Sequence, residues 1–138
     1  MYLTEEVIMD KSLIREEARM YFVPILLGDN QESHRISRKI FKKYGISSFV
    51  LDNKRIFADL WDFSCRFVKL SSSDGFPIIF TQLVDITREI PSALPILIPC
   101  SSKYESFTKL YRNELEAFFV ISDKELIFTA SPLKIIPS

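Results

Sequence analysis

Two unbroken apolar runs constrain this chain most: Tyr21-Phe-Val-Pro-Ile-Leu-Leu27 and Leu94-Pro-Ile-Leu-Ile-Pro-Cys100. A half-exposed strand alternates apolar and polar residues. A run without that alternation suits a strand buried on both faces, as in a parallel sheet covered by helices on either side. Pro24 limits the first run, because its missing N–H must fall at a strand start or at an unpaired position. Turn chemistry follows each run, as Gly28-Asp29-Asn30 and as Ser101-Ser102, and each turn leads into helical periodicity.

After the first turn, Ser33 to Tyr44 reads as a helix, with Ile36, Ile40 and Tyr44 on one face and Phe41 beside them. Gly45 stands where a helix-ending glycine belongs. Ile46 to Leu51 then reads as a second strand, ending in Asp52-Asn53. Strand, helix and strand together form a βαβ unit, whose crossover is expected to be right-handed. After the second run, Ser102 and Glu105 have capping-box spacing. The helix they open is expected to reach about Ala117, with Phe107, Tyr111, Leu115 and Phe118 as its apolar stripe. Phe119 to Ile121 reads as a final strand.

The middle is less periodic. Cys65 to Leu70 alternates like a third strand, and Ser71 to Gly75 reads as a loop. Phe76 to Phe80 suits a short strand or the approach to a helix, and Thr81 to Ile90 suits a helix stopped by Pro91. Alternation of strands and helices gives an α/β fold with an open, mostly parallel sheet. Residues 1–20 read as an amphipathic helix or arm.

Composition narrows the function classes. The chain has 138 residues, 47% of them hydrophobic, which suffices for one domain without a metal or disulfide staple. Lys plus Arg and Asp plus Glu both number 18, so no net charge favours nucleic acid. Arg35, Arg38, Lys39, Lys42 and Lys43 crowd one helix and read as its solvated face. Two cysteines suit a reduced, cytoplasmic setting, and the N-terminus lacks the basic start of a signal peptide. No apolar run is long enough for a membrane span.

Ligands of open parallel sheets sit beyond the carboxyl ends of the strands. The turns at Gly28 and Ser101 are therefore either ordinary βα loops or sites where helix N-termini meet a carboxylate or phosphate. Neither a G-x-G-x-x-G fingerprint nor a phosphate-binding P-loop is present. His34, the single histidine, and Cys100 invite a Cys–His nucleophile pair, although a buried structural cysteine is the plainer reading of Cys100. One histidine and two distant cysteines do not make a zinc ligand set.

Two segments carry a resemblance. Tyr21 to Gly28, followed by Ser37-Arg38-x-x-Phe41-x-x-Tyr44-Gly45, resembles the opening of ATP-grasp carboxylate–amine ligases, most of all the D-aspartate ligase branch. Leu97-Ile-Pro-Cys-Ser-Ser-Lys-Tyr104-Glu105, with Tyr111 to Glu116 and Phe119, is similar to a later strand, turn and helix of the same family. The resemblance covers residues 21–125 and implies the family's pre-ATP-grasp domain, a Rossmann-like α/β layer that holds substrate. It implies substrate contacts from Gly28, Asp29, Ser101, Ser102 and Tyr104. ATP and Mg²⁺ are implied for the complete family enzyme, with no cofactor and no catalytic residue in this chain. Residues 126–138 are then the start of a missing downstream domain, and the chain is a fragment or truncated product, inactive alone. The implied partner is an ATP-grasp domain in cis or trans, or a second copy covering an exposed apolar face. The alternatives are a stand-alone α/β binding or interaction module, and a small Cys–His hydrolase.

Overall fold

The computed structural model describes residues 22–55, 64–71, 75–90 and 94–124. The expected N-terminal helix or arm and the tail lie outside these residues. In chain order the elements are β1 (Val23–Leu27), α1 (Gln31–Tyr44), β2 (Ser48–Asp52), β3 (Cys65–Lys69), α2 (Phe76–Arg88), β4 (Pro95–Pro99), α3 (Ser102–Leu110), α4 (Arg112–Leu115) and β5 (Val120–Ile121).

The five strands form one sheet in the order β3-β2-β1-β4-β5, and every pairing is parallel. Both apolar runs are central: Val23 to Leu27 pair in register with Pro95 to Pro99. Alternate residues of these strands serve opposite faces. Ile25, Leu27, Leu51 and Leu97 pack with Leu83, Phe107 and Leu115 beneath α2, α3 and α4. Leu26, Val50, Ile96 and Ile98 pack with Ile36 and Ile40 of α1. Strands are added in one direction from β1 to β3 and in the other from β4 to β5. Right-handed crossovers then demand helices on opposite faces, which is the arrangement found. The fold is a Rossmann-like α/β sheet. No described helix is long and apolar enough to cross a membrane.

The prolines fit this sheet because N–H groups alternate sides along a strand. The Val23 N–H donates to Leu94 on the β4 side, and the Gly28 N–H to Leu51 on the β2 side. Pro24 therefore turns its nitrogen toward β2, just before the first paired residues, Ile25 and Phe49. In β4 the Cys100 N–H donates to Leu27 of β1, so Pro95 and Pro99 turn their nitrogens toward β5. β5 pairs only with Ile96 and Leu97, between the two prolines. β3 forms the other edge, and its exposed Arg66 and Lys69 are the charges that discourage edge pairing.

The helix boundaries depart from the sequence reading in four places. α1 begins earlier, at Gln31, because Asn30 is its N-cap. α2 starts at Phe76, with Gly75 as N-cap and Pro77 in the first turn, where a missing N–H is harmless. Ser101, not Ser102, caps α3, and its Oγ accepts the Tyr104 N–H. The expected Ser102–Glu105 capping box is therefore out of frame by one residue. The long helix to Ala117 is interrupted at Tyr111, whose backbone leaves the helical region while its ring stacks on Phe107 and Phe80. Phe41 and Phe118, expected on buried faces, are each 43% exposed. Gly45 ends α1 as expected, in left-handed geometry (φ 71°), with its N–H on the Phe41 carbonyl.

Candidate functional site

Strand order reverses between β1 and β4, and there the connections that follow two adjacent strands lead to opposite faces. Gly28-Asp29-Asn30 and Cys100-Ser101-Ser102 meet at this point. Asn30 joins them: its Oδ1 accepts the Ser33 N–H at 2.8 Å, and its Nδ2 donates to the Cys100 carbonyl at 2.9 Å. Ser33 completes a reciprocal cap, its Oγ accepting the Asn30 N–H at 3.0 Å. One side chain thus caps α1 and clamps the neighbouring loop.

Gly28 supplies the backbone conformation this turn needs. Its φ is +114°, and a β-carbon there would lie 3.5 Å from both the Asn30 amide and the Tyr104 ring. The distance is ordinary contact, so the demand for glycine comes from the backbone.

Asp52, at the end of β2, organises the floor. Its Oδ1 accepts the Tyr104 hydroxyl at 2.9 Å and the Asn53 N–H at 2.7 Å, and its Oδ2 accepts the Asp29 N–H at 2.8 Å. Burial, the hydrogen bond to Asp52 and the Asp52 charge all hold the Tyr104 phenol above its ordinary pKa. The Asp29 carboxylate turns the other way, to His34 Nε2 at 2.7 Å. His34 Nδ1 lies 3.7 Å from Cys65 Sγ.

All five expected substrate residues therefore gather at one sheet edge, in different circumstances. Gly28, Asp29 and Tyr104 are buried, and Asp29 and Tyr104 spend hydrogen bonds on protein groups. Ser101 is half-buried as the cap of α3. Ser102 is exposed and opens onto a groove of about 550 Å³ with Glu105, Lys109, Arg112 and Asp123 on its walls. A second groove, about 820 Å³, runs past Asn30 along Glu32, Arg35 and Lys39. Hydrogen bonds from the Arg35 guanidinium hold the Glu32 carboxyl below its usual range. Both grooves carry charges of both signs.

Cys100 does not pair with His34. Its Sγ donates to the Ile98 carbonyl at 3.5 Å, and burial pushes the thiol up to about 12. Asp52 escaped the sequence reading as a member of this edge, and so did the contact between His34 and Cys65, which starts β3. In that reading Asn30 is part of the Gly28 turn but not the cap of α1. The signal for Asp52 was its position at a strand end, where side chains face the ligand side of a parallel sheet. Asn30 was a turn residue ahead of a helix, the usual mark of an N-cap. No local signal linked Cys65 to His34. Among the described residues, no group of three or more His, Cys, Asp or Glu is placed to hold a metal ion. No family model matches the chain, and comparison with curated proteins and with solved structures likewise gives no match.

Proposed function

We propose that the chain is the substrate-side domain of an ATP-grasp carboxylate–amine ligase of the D-aspartate ligase kind. The observation that carries this reading is the groove between α3 and the end of β5, which opens at the Ser101-Ser102 turn. Ser102, at the first turn of α3, opens onto it, and Glu105, Lys109, Arg112 and Asp123 line it. An amino acid presents an ammonium and a carboxylate, and a groove of mixed charge can meet both. The donor groups of ATP and Mg²⁺ belong, in this reading, to a separate ATP-binding domain. This chain binds and orients the substrate, and the ligation step needs the partner.

The test is a titration of the isotopically labelled chain with D-aspartate and other amino acids, following backbone amides by NMR. Shifts confined to Ser102–Lys109 and the facing residues around Asp123 support the reading, as does their loss in Lys109→Glu. No shift with any amino acid overturns it. A second reading, a stand-alone interaction module without enzymatic activity, draws on exposed apolar side chains of α2, α3 and the turn after α4. Leu110 is 69% exposed, Ile78 41% and Phe118 43%. Self-association through this face, measured as solution mass, together with silent groove amides, favours that module.

A further inference from the structure

A reactive constellation lies on the α1 side of the sheet, apart from the substrate groove. The Asp29 and His34 side chains are 0% and 5% exposed, and their 2.7 Å contact joins Asp29 Oδ1 to His34 Nε2. A carboxylate accepts, so this ring nitrogen carries the proton. The contact fixes the ring's orientation and places Nδ1 on the Cys65 side. That nitrogen lies 3.7 Å from the thiol of Cys65, which is half-buried at the start of β3. A carboxylate thus orients an imidazole, and the imidazole addresses a thiol, which is the base-activated nucleophile arrangement.

Each member sits on a fixed element. The Asp29 N–H is tied to Asp52. His34 lies in the first turn of α1, behind the Asn30–Ser33 cap. Cys65 pairs with Ser48 across the sheet, and its neighbour Ser64 contacts the Ser37 hydroxyl of α1 at 3.1 Å. The chain's other thiol supplies the contrast: Cys100 is 4% exposed and turned to a backbone carbonyl.

We propose that Cys65 is a reactive thiol, activated by the Asp29–His34 pair, and that it exchanges with low-molecular-weight disulfides. His34 Nδ1 takes the Cys65 proton, and the thiolate attacks one sulfur of R–S–S–R. The Cys65–S–S–R bond forms as the R–S–S–R bond breaks. The departing R–S⁻ takes the proton from the imidazolium and leaves as R–SH. The cysteine sulfur is oxidised to the disulfide level and the leaving sulfur is reduced to a thiol. This chemistry needs an accessible thiolate and a proton carrier, with no oxyanion hole.

The test uses the reduced, full chain with glutathione disulfide at neutral pH, the adduct being located by peptide mass spectrometry. The expected result is a single adduct, at Cys65, formed about tenfold or more faster than at Cys65 in the urea-unfolded chain. His34→Gln and Asp29→Asn are expected to remove that advantage while circular dichroism stays native. A Cys65 no faster in the folded wild type than in the unfolded chain overturns the proposal, and this comparison requires no variant to fold. A natively folded His34→Gln chain that reacts at the wild-type rate overturns it as well.

Discussion

The Tyr104 hydroxyl donates to Asp52 Oδ1 at 2.9 Å, tying α3 to the end of β2 across the intervening β1. The two residues stand 52 positions apart. The same carboxylate also receives the N–H groups of Asp29 and Asn53, so three connections at the ligand edge share one anchor. Such partners offset the water that this half-buried carboxylate gives up.

Removing the hydroxyl tests that anchor. Tyr104→Phe preserves the ring, which is 2% exposed, and leaves Asp52 one donor short. The expected loss is about 1.5–3 kcal/mol, the range for a hydrogen bond to a charged group. Urea denaturation measures it, and a loss well below that range would show that water replaces the phenol.

Stability should fall in alkali. The Tyr104 phenol is raised above its ordinary value, and the Cys100 thiol is pushed up from 9.0 to about 12. Below pH 9 the Cys100 proton is bound in both the folded and the unfolded chain, so its stabilising contribution is complete. Between about 9 and 12 the unfolded chain has released it and the folded chain has not. Each such group then lowers stability by roughly 1.4 kcal/mol per pH unit. Thermal midpoints collected across this window should show the slope, and Cys100→Ala should remove the thiol's share of it.

Asn30→Ala removes a helix cap and a clamp between loops in a single change. The cap alone is worth about 0.5–2 kcal/mol, and the Cys100 carbonyl loses its 2.9 Å donor as well. The total expected is about 2–3 kcal/mol. Asn30→Asp separates the two roles, since it keeps the acceptor for the Ser33 N–H and loses the donor. It should fall between wild type and Asn30→Ala in chemical denaturation.

Gly28→Ala should cost about 1–3 kcal/mol, all of it from the backbone. The φ of +114° is outside the range alanine adopts readily, while the nearest atoms to the added carbon stay at 3.5 Å. A cost near zero would mean that the turn relaxes to a negative φ without disturbing Tyr104.

Ser48→Ala should be neutral or slightly stabilising. Ser48 is 1% exposed, and its Oγ finds no hydrogen-bond partner among the described residues. Removing a buried hydroxyl without a partner returns its desolvation cost, up to about 1 kcal/mol. A loss of more than that in denaturant titration would point to a bond the hydroxyl does make.

The readable part of this protein is local. Unbroken apolar runs mark β1 and β4 as central strands, the spacing of Ile36 and Ile40 marks the buried side of α1, and Gly45 marks its end. These features depend on backbone geometry and on side chains a few positions apart, so the amino-acid order alone determines them, and with them the α/β class. Neighbouring serines already blur the picture: either Ser101 or Ser102 can cap α3 by chemistry, and the choice follows from where β4 stops, with the Cys100 N–H bound to Leu27. At Tyr111, whose ring stacks on Phe80, the backbone likewise leaves a helical pattern that reads as continuous. The remainder required the tertiary structure. Asn30 finds Cys100 from 70 residues away, Tyr104 finds Asp52 from 52, and His34 finds Cys65 from 31. Those meetings depend on the strand order β3-β2-β1-β4-β5. Strand order comes from how whole faces bury against one another, and no window of sequence contains that sum.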